Sequence, residues 1–175
     1  SKPGQLNYGS PGIGSSHHLT MEAMKAALNL QISHVPFRGS GQSVPALVGN
    51  QVGVVFAALP SLSGFAENGK VKILATNSAS RSALAPDIPA ISEIIPGFNF
   101  AATVGVLAAT GTPSYAVTRI NAEVTRALKT PEVIKQLNTL GIEPVGGPAD
   151  RYAAAIAEEG KRYEGAIKAA GIKAE

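Results

Sequence analysis

The fold is decided by residues 6–19, which read LNYGSPGIGSSHHL. Leu6-Asn7-Tyr8 predicts a short strand, and the glycines and serines of residues 9–16 predict a loop. A helix is predicted over about residues 17–29, because apolar side chains recur on one face from Met21 onward. A strand, a Gly-rich turn and a helix N-terminus together favour anion binding, since free N–H groups and the positive end of the helix dipole point at one spot.

The same order of strand, loop and helix is repeated along the first half of the chain. Residues 38–41, Arg-Gly-Ser-Gly, form a second Gly-rich loop between a predicted strand and a predicted helix. This alternation predicts a parallel, doubly wound α/β sheet, in which the loops at the carboxyl ends of the strands bind ligands. We therefore expect Ser10 and Gly39 to lie at the same edge of the sheet. The other predicted strands are residues 31–37, 51–56 and 71–76, and the predicted helices are residues 42–48 and 60–69.

The chain is predicted to be mostly helical after Gly111-Thr112-Pro113. Helical spacing of apolar residues begins near Val117, and Pro131 and Pro148 each fit the first position of a further helix. Shorter elements are predicted at residues 90–95 (helix), 100–108 (strand) and 142–145 (strand).

The composition disfavours several classes of protein. The net charge is +3, the basic residues are scattered singly, and aromatic residues make up only 5%, so a nucleic-acid-binding surface is not predicted. The absence of cysteine excludes disulfides, thiolate metal sites and cysteine nucleophiles. No apolar run approaches the roughly 20 residues of a membrane-spanning helix.

The two Gly-rich loops leave more than one interpretation open. The first loop has neither the spacing of an ATP phosphate loop nor that of the GxGxxG dinucleotide fingerprint. The first loop fits either an anion site or a tight turn with a serine cap. Arg38 fits either a carboxylate ligand or a surface cation that forms a salt bridge.

Catalytic and metal sites are not predicted. His17 and His18 point to different helix faces, and Glu22 adds only one acid, so His17, His18 and His34 favour capping or core roles over metal binding. The run Ser15-Ser16-His17 contains reactive residue types, but neighbours in sequence rarely have triad geometry. We expect no enzyme activity and no cofactor.

The order of the motifs resembles that of the tripartite tricarboxylate transporter receptors, also called the Bug family. Residues 3–19 resemble the family pattern P-G-x-L-x-Y-x-S-x-G-x-G-S-x-x-H-L, and residues 35–39, VPFRG, resemble its VPYRG segment. Residues 45–52, PALVGNQV, resemble its ALLGGQV passage. The resemblance extends from Ser1 to the C-terminus, and the ordered set is more specific than any single motif.

The resemblance implies a two-lobed, type II periplasmic-binding architecture with the ligand between the lobes. Family members are longer at the N-terminus, so residues 1–105 are expected to form the second lobe, a complete α/β ligand-binding lobe. Residues 106–175 are expected to form the C-terminal part of the first lobe, whose N-terminal segment is missing. The chain is therefore expected to be part of a receptor.

The implied function is capture of a small organic carboxylate in the periplasm for the membrane components of a transporter. An effector-sensing domain of a transcription regulator, which has the same fold, is the alternative. Many family members carry Phe-Asp-Asn where this chain has Phe56-Ala57-Ala58, which implies a dicarboxylate or an aromatic carboxylate rather than an amino acid. The expected ligand-binding residues are Ser10, Gly12, Ile13, Gly14, Ser15, Ser16, Arg38, Gly39, Ser40, Ala57 and Ala58.

Overall fold

The computed structural model describes residues 4–172, so Pro3 of the first motif lies outside the described residues. Within that range the chain has an α/β fold with one small parallel sheet and six α-helices. The strands are β1 (Leu6–Ser10), β2 (Ile32–Pro36) and β3 (Val54–Val55). The helices are α1 (Ser16–Leu28), α2 (Ser40–Val48), α3 (Pro60–Glu67), α4 (Ser114–Ala127), α5 (Pro131–Thr139) and α6 (Ala149–Ala170), and a short 3-10 helix spans Ile91–Glu93.

The sheet places β1 between its two partners, in the order β2-β1-β3. Both pairings are parallel; Leu6 pairs with Ile32, Ser10 pairs with Pro36, and Gly9 lies opposite Val55 on the other side. Each strand is followed by a helix, which confirms the predicted βαβ order. Because the strands are parallel, their carboxyl ends meet at one edge of the sheet.

Local sequence explains where the helices of this region begin and end. The side chain of Ser15 caps α1 by accepting the N–H of His18 at 3.2 Å. Asn29 ends the same helix with φ 51°, a left-handed conformation that Asn adopts more readily than most residues. Pro60 and Pro131 occupy the first positions of α3 and α5, where the missing N–H costs no helical hydrogen bond.

Buried apolar side chains lie on β1 and on the two helices α1 and α2. Tyr8 and Met21 are fully buried, and Val44 of α2 is nearly so. Burying such side chains contributes roughly 1.5–3 kcal/mol each, which stabilises β1, α1 and α2. Other buried apolar residues of the chain are Leu19, Ala46, Val52, Ala90, Ile91, Phe98 and Ala166.

Three predicted strands are wrong. Residues 71–76 form no strand; Thr76 makes one isolated parallel bridge with Ala90, and Leu74 is 62% exposed. Residues 100–108 and 142–145 are also irregular. An apolar run becomes a strand only where a neighbour supplies a continuous ladder of hydrogen bonds, and these runs lack one among the described residues.

The chain divides into two compact units, one within Ser1–Ala101 and Lys161–Glu175 and the other Ala102–Gly160. The first unit contains the sheet, and the second contains α4 and α5. The assignment of residues 1–105 and 106–175 to two lobes stays a prediction. Among the described residues, no helix combines the length and the apolar character that crossing a membrane requires.

Candidate functional site

Three loops leave the carboxyl edge of the sheet, one after each strand. We call residues 10–15 the first loop, residues 37–39 the second loop and residues 56–59 the third loop. The N–H of Phe37 donates to the carbonyl of Ser10 at 2.9 Å, and the N–H of Gly39 donates to the carbonyl of Pro11, also at 2.9 Å. The first two loops are therefore joined by their backbones, and Ser10 and Gly39 lie at one edge as predicted.

The helices that begin at this edge leave their positive ends without an acidic side chain. The first turns of α1, α2 and α3 contain no Asp or Glu. The first turn of α4 also lacks one, whereas α5 has Glu132 and α6 has Asp150 in that position. An acidic residue in the first turn normally stabilises a helix by compensating its dipole. Its absence from all three site helices leaves the edge suited to an external anion.

Several N–H groups of the first loop already have acceptors within the loop. Gly12 donates to the Ser10 hydroxyl at 3.2 Å, Gly14 donates to Nδ1 of His18 at 3.0 Å, and Ser15 donates to the Gly12 carbonyl at 3.3 Å. These bonds define the loop's shape. The N–H of His18 donates to the Ser15 hydroxyl, so the donors suited to a ligand are the hydroxyl of Ser16 and the amides of Ser16 and His17, which helix geometry leaves without intrahelical acceptors.

Glycine is required at two positions of the first loop. Gly12 has φ 147° and Gly14 has φ 75°, conformations that side chains disfavour. Gly14 and Ile13 are both exposed, and a Cβ added at Gly14 would meet no atom within 4 Å. This part of the loop is therefore open to solvent.

The second and third loops differ in chemistry. Arg38 is exposed, and its backbone N–H donates to Oε1 of Gln42 at 3.1 Å. Gly39 has φ 86°, and Ser40 is the first residue of α2. The third loop offers only the alkyl side chains of Ala57, half-buried, and Ala58, exposed.

A buried cluster beneath the first loop was not assigned a binding role from the sequence. The rings of His18 and His34 stack with centroids 4.0 Å apart, and Tyr8 stacks on His34 at 4.8 Å. The hydroxyl of Tyr8 donates to Oε1 of Glu22 at 2.5 Å, and Lys25 contacts the same oxygen at 2.7 Å. Nε2 of His34 lies 2.6 Å from the Ser10 hydroxyl, which connects this cluster to the first loop.

The electrostatics of the cluster keep both stacked rings neutral at neutral pH. Burial lowers the pKa of His18, and burial together with the nearby His18 lowers the pKa of His34 to about 4. Burial raises the pKa of the Tyr8 hydroxyl, and the Glu22 carboxylate raises it further. Burial alone would raise the pKa of Glu22, but hydrogen bonds from Lys25 and Tyr8 outweigh it and lower that pKa below its usual value.

The parallel register, which the sequence does not reveal, brings this cluster together. It pairs Tyr8 with His34, so the two side chains lie side by side on one face of the sheet. His18 then needs only to lie on the buried face of α1, and it is 4% exposed. The core role predicted for a histidine is confirmed for His18.

Other places in the chain are less suited to a polar ligand. Among residues 4–172, no group of three or more His, Cys, Asp or Glu side chains is arranged to hold a metal ion. A shallow depression in the second unit has mostly apolar walls and one cation, Lys129. Its lining residues are Thr125, Leu128, Lys129, Ile134, Pro144, Val145 and Gly146.

Comparison with known proteins extends the motif evidence over almost the whole chain. The TctC profile, the tripartite tricarboxylate transporter family receptor, matches residues 1–172. The UPF0065 protein in the tcbD-tcbE intergenic region of Pseudomonas sp. (strain P51) is 34% identical over 93% of this chain and 49% of its own length. The chain thus spans about half the length of the curated relatives it matches.

Solved structures share the fold. Rpa4515 of R. palustris, solved with adipate, has a TM-score of 0.83 and 31% identity over 97% of this chain and 57% of that chain. MatC (Rpa3494) of Rhodopseudomonas palustris, solved with bound malate, has a TM-score of 0.69 and 29% identity over 93% of this chain and 56% of that chain. The predicted fold class, that of the periplasmic solute-binding proteins, is confirmed.

Proposed function

Because the chain belongs to the tripartite tricarboxylate transporter receptor family, we propose that it binds a small organic carboxylate in the periplasm and delivers it to the membrane components of such a transporter. The first loop, the start of α1 and the second loop hold the acid. The proposal is one of ligand capture and involves no chemical step.

The observation that carries this proposal is the joined pair of Gly-rich loops at the carboxyl edge of the sheet. The bonds from Phe37 and Gly39 bring the starts of α1 and α2 to the same edge. Two helix N-termini without acidic side chains attract a carboxylate without a lysine. Arg38, which is exposed, contributes less than the loops, because ordering a long side chain costs entropy.

The ligand is a dicarboxylate or a similar plain acid rather than an amino acid. The relatives solved with adipate and malate support a dicarboxylate, and both are 29% or more identical to this chain. The third loop has only methyl groups at Ala57 and Ala58, so it offers no carboxylate to pair with an ammonium group. An amino acid bound there would keep a charge without a partner on that side.

Titration calorimetry on the full-length protein tests the proposal with adipate, malate, benzoate and aspartate. We expect adipate or malate to bind and aspartate to bind at least about tenfold more weakly, the equivalent of one lost charged contact. Failure of all four acids to bind would contradict the proposal. A preference for aspartate would contradict the part played by the third loop.

A pair of glycine variants locates the site. A Gly14→Val variant would not separate ligand binding from the shape of the loop, because the φ of 75° at Gly14 would strain any side chain and disturb the loop itself. Gly41, in the first turn of α2, has an ordinary φ, and a Cβ there would meet no atom within 4 Å. Gly41→Leu should obstruct a ligand held by the second loop. Gly64→Leu, the same change in open space on α3, should leave affinity unchanged.

A further inference from the structure

We infer that His18 is a positioning residue for the ligand, because its neutral ring accepts the Gly14 N–H that holds the first loop in shape and loses that bond when the ring becomes protonated. The inference rests on the proposed function only for what the loop binds. The pH acts on the site through His18, which stacks on His34 and does not itself touch the carboxylate.

The two rings hold opposite ends of the first loop. At its C-terminal end, the N–H of Gly14 donates to Nδ1 of His18 at 3.0 Å. At its start, Nε2 of His34 lies 2.6 Å from the hydroxyl of Ser10, which also accepts the N–H of Gly12 at 3.2 Å. Both glycines have positive φ. The bonds from Phe37, Gly39 and Ser15 support the part of the loop from Ser10 to Gly12, whereas the Gly14 amide is held by His18.

Protonation affects the two rings differently. Nδ1 of His18 can accept from Gly14 only while it carries no proton; once protonated, it becomes a second donor facing the first. His34 keeps its bond to Ser10 in either state, because a protonated Nε2 donates to the hydroxyl, which in turn has the Gly12 carbonyl at 3.1 Å as an acceptor. His18 is therefore the ring that releases the loop.

The surroundings oppose a charge on either ring. The rings stack with centroids 4.0 Å apart and planes within 13°, so a charge on one repels a charge on the other. The groups that face them are Tyr8 from β1 and Glu22 and Lys25 from α1. Glu22 would favour a charged histidine, but its carboxylate is already paired with Lys25 at 2.7 Å and accepts from Tyr8.

The consequence is a site that weakens in acid. Burial lowers the pKa of both rings, so the bond to Gly14 is intact at neutral pH and is lost as the pH falls through the lowered pKa of His18. Two effects of protonation act in opposite directions. The added positive charge attracts the anionic ligand, whereas loss of the loop's shape removes the donors that point at the ligand. Because oriented amides bind the anion, the second effect is the larger one, and affinity falls in acid.

Calorimetry with adipate between pH 8 and pH 5 tests this on the full-length protein and three variants. Affinity of the unmodified protein should fall on the order of tenfold over that range. His18→Asn places an amide oxygen where Nδ1 lies and cannot be protonated there, so it should bind at neutral pH and lose this fall. His34→Gln likewise keeps a polar group at Nε2 and should shift the midpoint. His17→Gln removes a ring whose Nδ1 lies 3.5 Å from the Ser16 hydroxyl, so its affinity at each pH is compared with its own value at pH 8, and it should retain the fall.

Nitrogen-15 NMR of the ligand-free protein separates the inference from the proposed function. The Gly14 amide resonance should move with the titration of the His18 ring. If the Gly14 resonance follows the titration of His18 but adipate does not bind at any pH, the proposed ligand is wrong and the positioning role stands. If adipate binds with the same pH profile in the unmodified protein and in His18→Asn, the positioning role is wrong.

Two further outcomes would overturn the inference. An affinity that rises in acid would show that the added charge outweighs the loss of loop shape. If His18→Asn fails to fold, the NMR titration of the unmodified protein decides alone, and a Gly14 resonance that does not follow His18 would count against the role.

Discussion

Gly9 is the position where adding one methyl group should most directly disturb the base of the site. It lies in β1 directly before Ser10, and a Cβ built there would lie 3.0 Å from Cε2 of Phe37, 3.2 Å from Cγ1 of Val55 and 3.3 Å from Cγ2 of Val52. Val52 is 2% exposed and has little room to move. Three neighbours would therefore have to shift at once.

The magnitude follows from two opposing terms. Overpacking a core by one carbon costs about 1–3 kcal/mol, and replacing glycine by alanine returns about 0.5–1 kcal/mol by restricting the unfolded chain. Gly9→Ala should therefore lower the free energy of unfolding by about 1–2 kcal/mol, which lowers Tm by roughly 2–8 °C for a chain of this size. Thermal unfolding followed by circular dichroism measures this shift.

Gly64→Ala is the matched control for the same substitution. Gly64 lies on the exposed side of α3, where a Cβ would meet no atom within 4 Å, so stability should rise by about 0.5–1 kcal/mol. If both variants were equally stabilised, the close contacts around Gly9 would not constrain the folded chain, and the reasoning would fail.

Three other perturbations have defined outcomes. Tyr8→Phe removes a hydrogen bond to the Glu22 carboxylate and should lower the free energy of unfolding in urea by about 1.5–3 kcal/mol; an unchanged urea midpoint would contradict this. The pKa of His34 is lowered to about 4, so stability of the unmodified protein should decline as the pH falls from about 6.5 towards 4, because only the unfolded state takes up the proton. Each pKa unit corresponds to about 1.4 kcal/mol, and solvent screening of this half-buried ring reduces its contribution. The decline in stability should therefore be about 2 kcal/mol smaller in His34→Gln, as measured by urea unfolding at several pH values. Ile120 is 48% exposed and Val124 is 36% exposed on α4, so replacing both with Gln should reduce any concentration-dependent association seen by analytical ultracentrifugation.

Sequence alone predicted the parts of the fold that depend on local signals. The loop between β1 and α1 contains its own cap and glycines, and the prolines at the starts of α3 and α5 mark those helices directly. Residues 71–76 have the same apolar character as a strand, yet Thr76 makes only a single bridge. Strand formation depends on a distant partner, and that partner is not visible in local periodicity.

The sequence likewise predicted only the part of the candidate site that depends on local signals. The glycines and serines of the first loop were visible as an anion-binding pattern before any contact was known. The stacking of His18 on His34 was not visible, because it depends on the register that places His34 beside Tyr8. The bond from Gly14 to His18 is local, but it depends on the rotamer of His18, which the sequence does not show. A histidine pair that is distant in sequence carries no local signature.

The central position of β1 also governs the order in which the protein can fold. Both of its partners come later in the chain, and each parallel pairing needs a crossover before any ladder bond forms. Closing those connections costs conformational entropy before any bond between the strands forms, so parallel pairings form slowly. Phe37 and Gly39 follow β2 directly, so we expect their bonds to the first loop to form after β2 docks. Loop substitutions should therefore change the unfolding rate and leave the folding rate almost unaltered, with φ-values near zero.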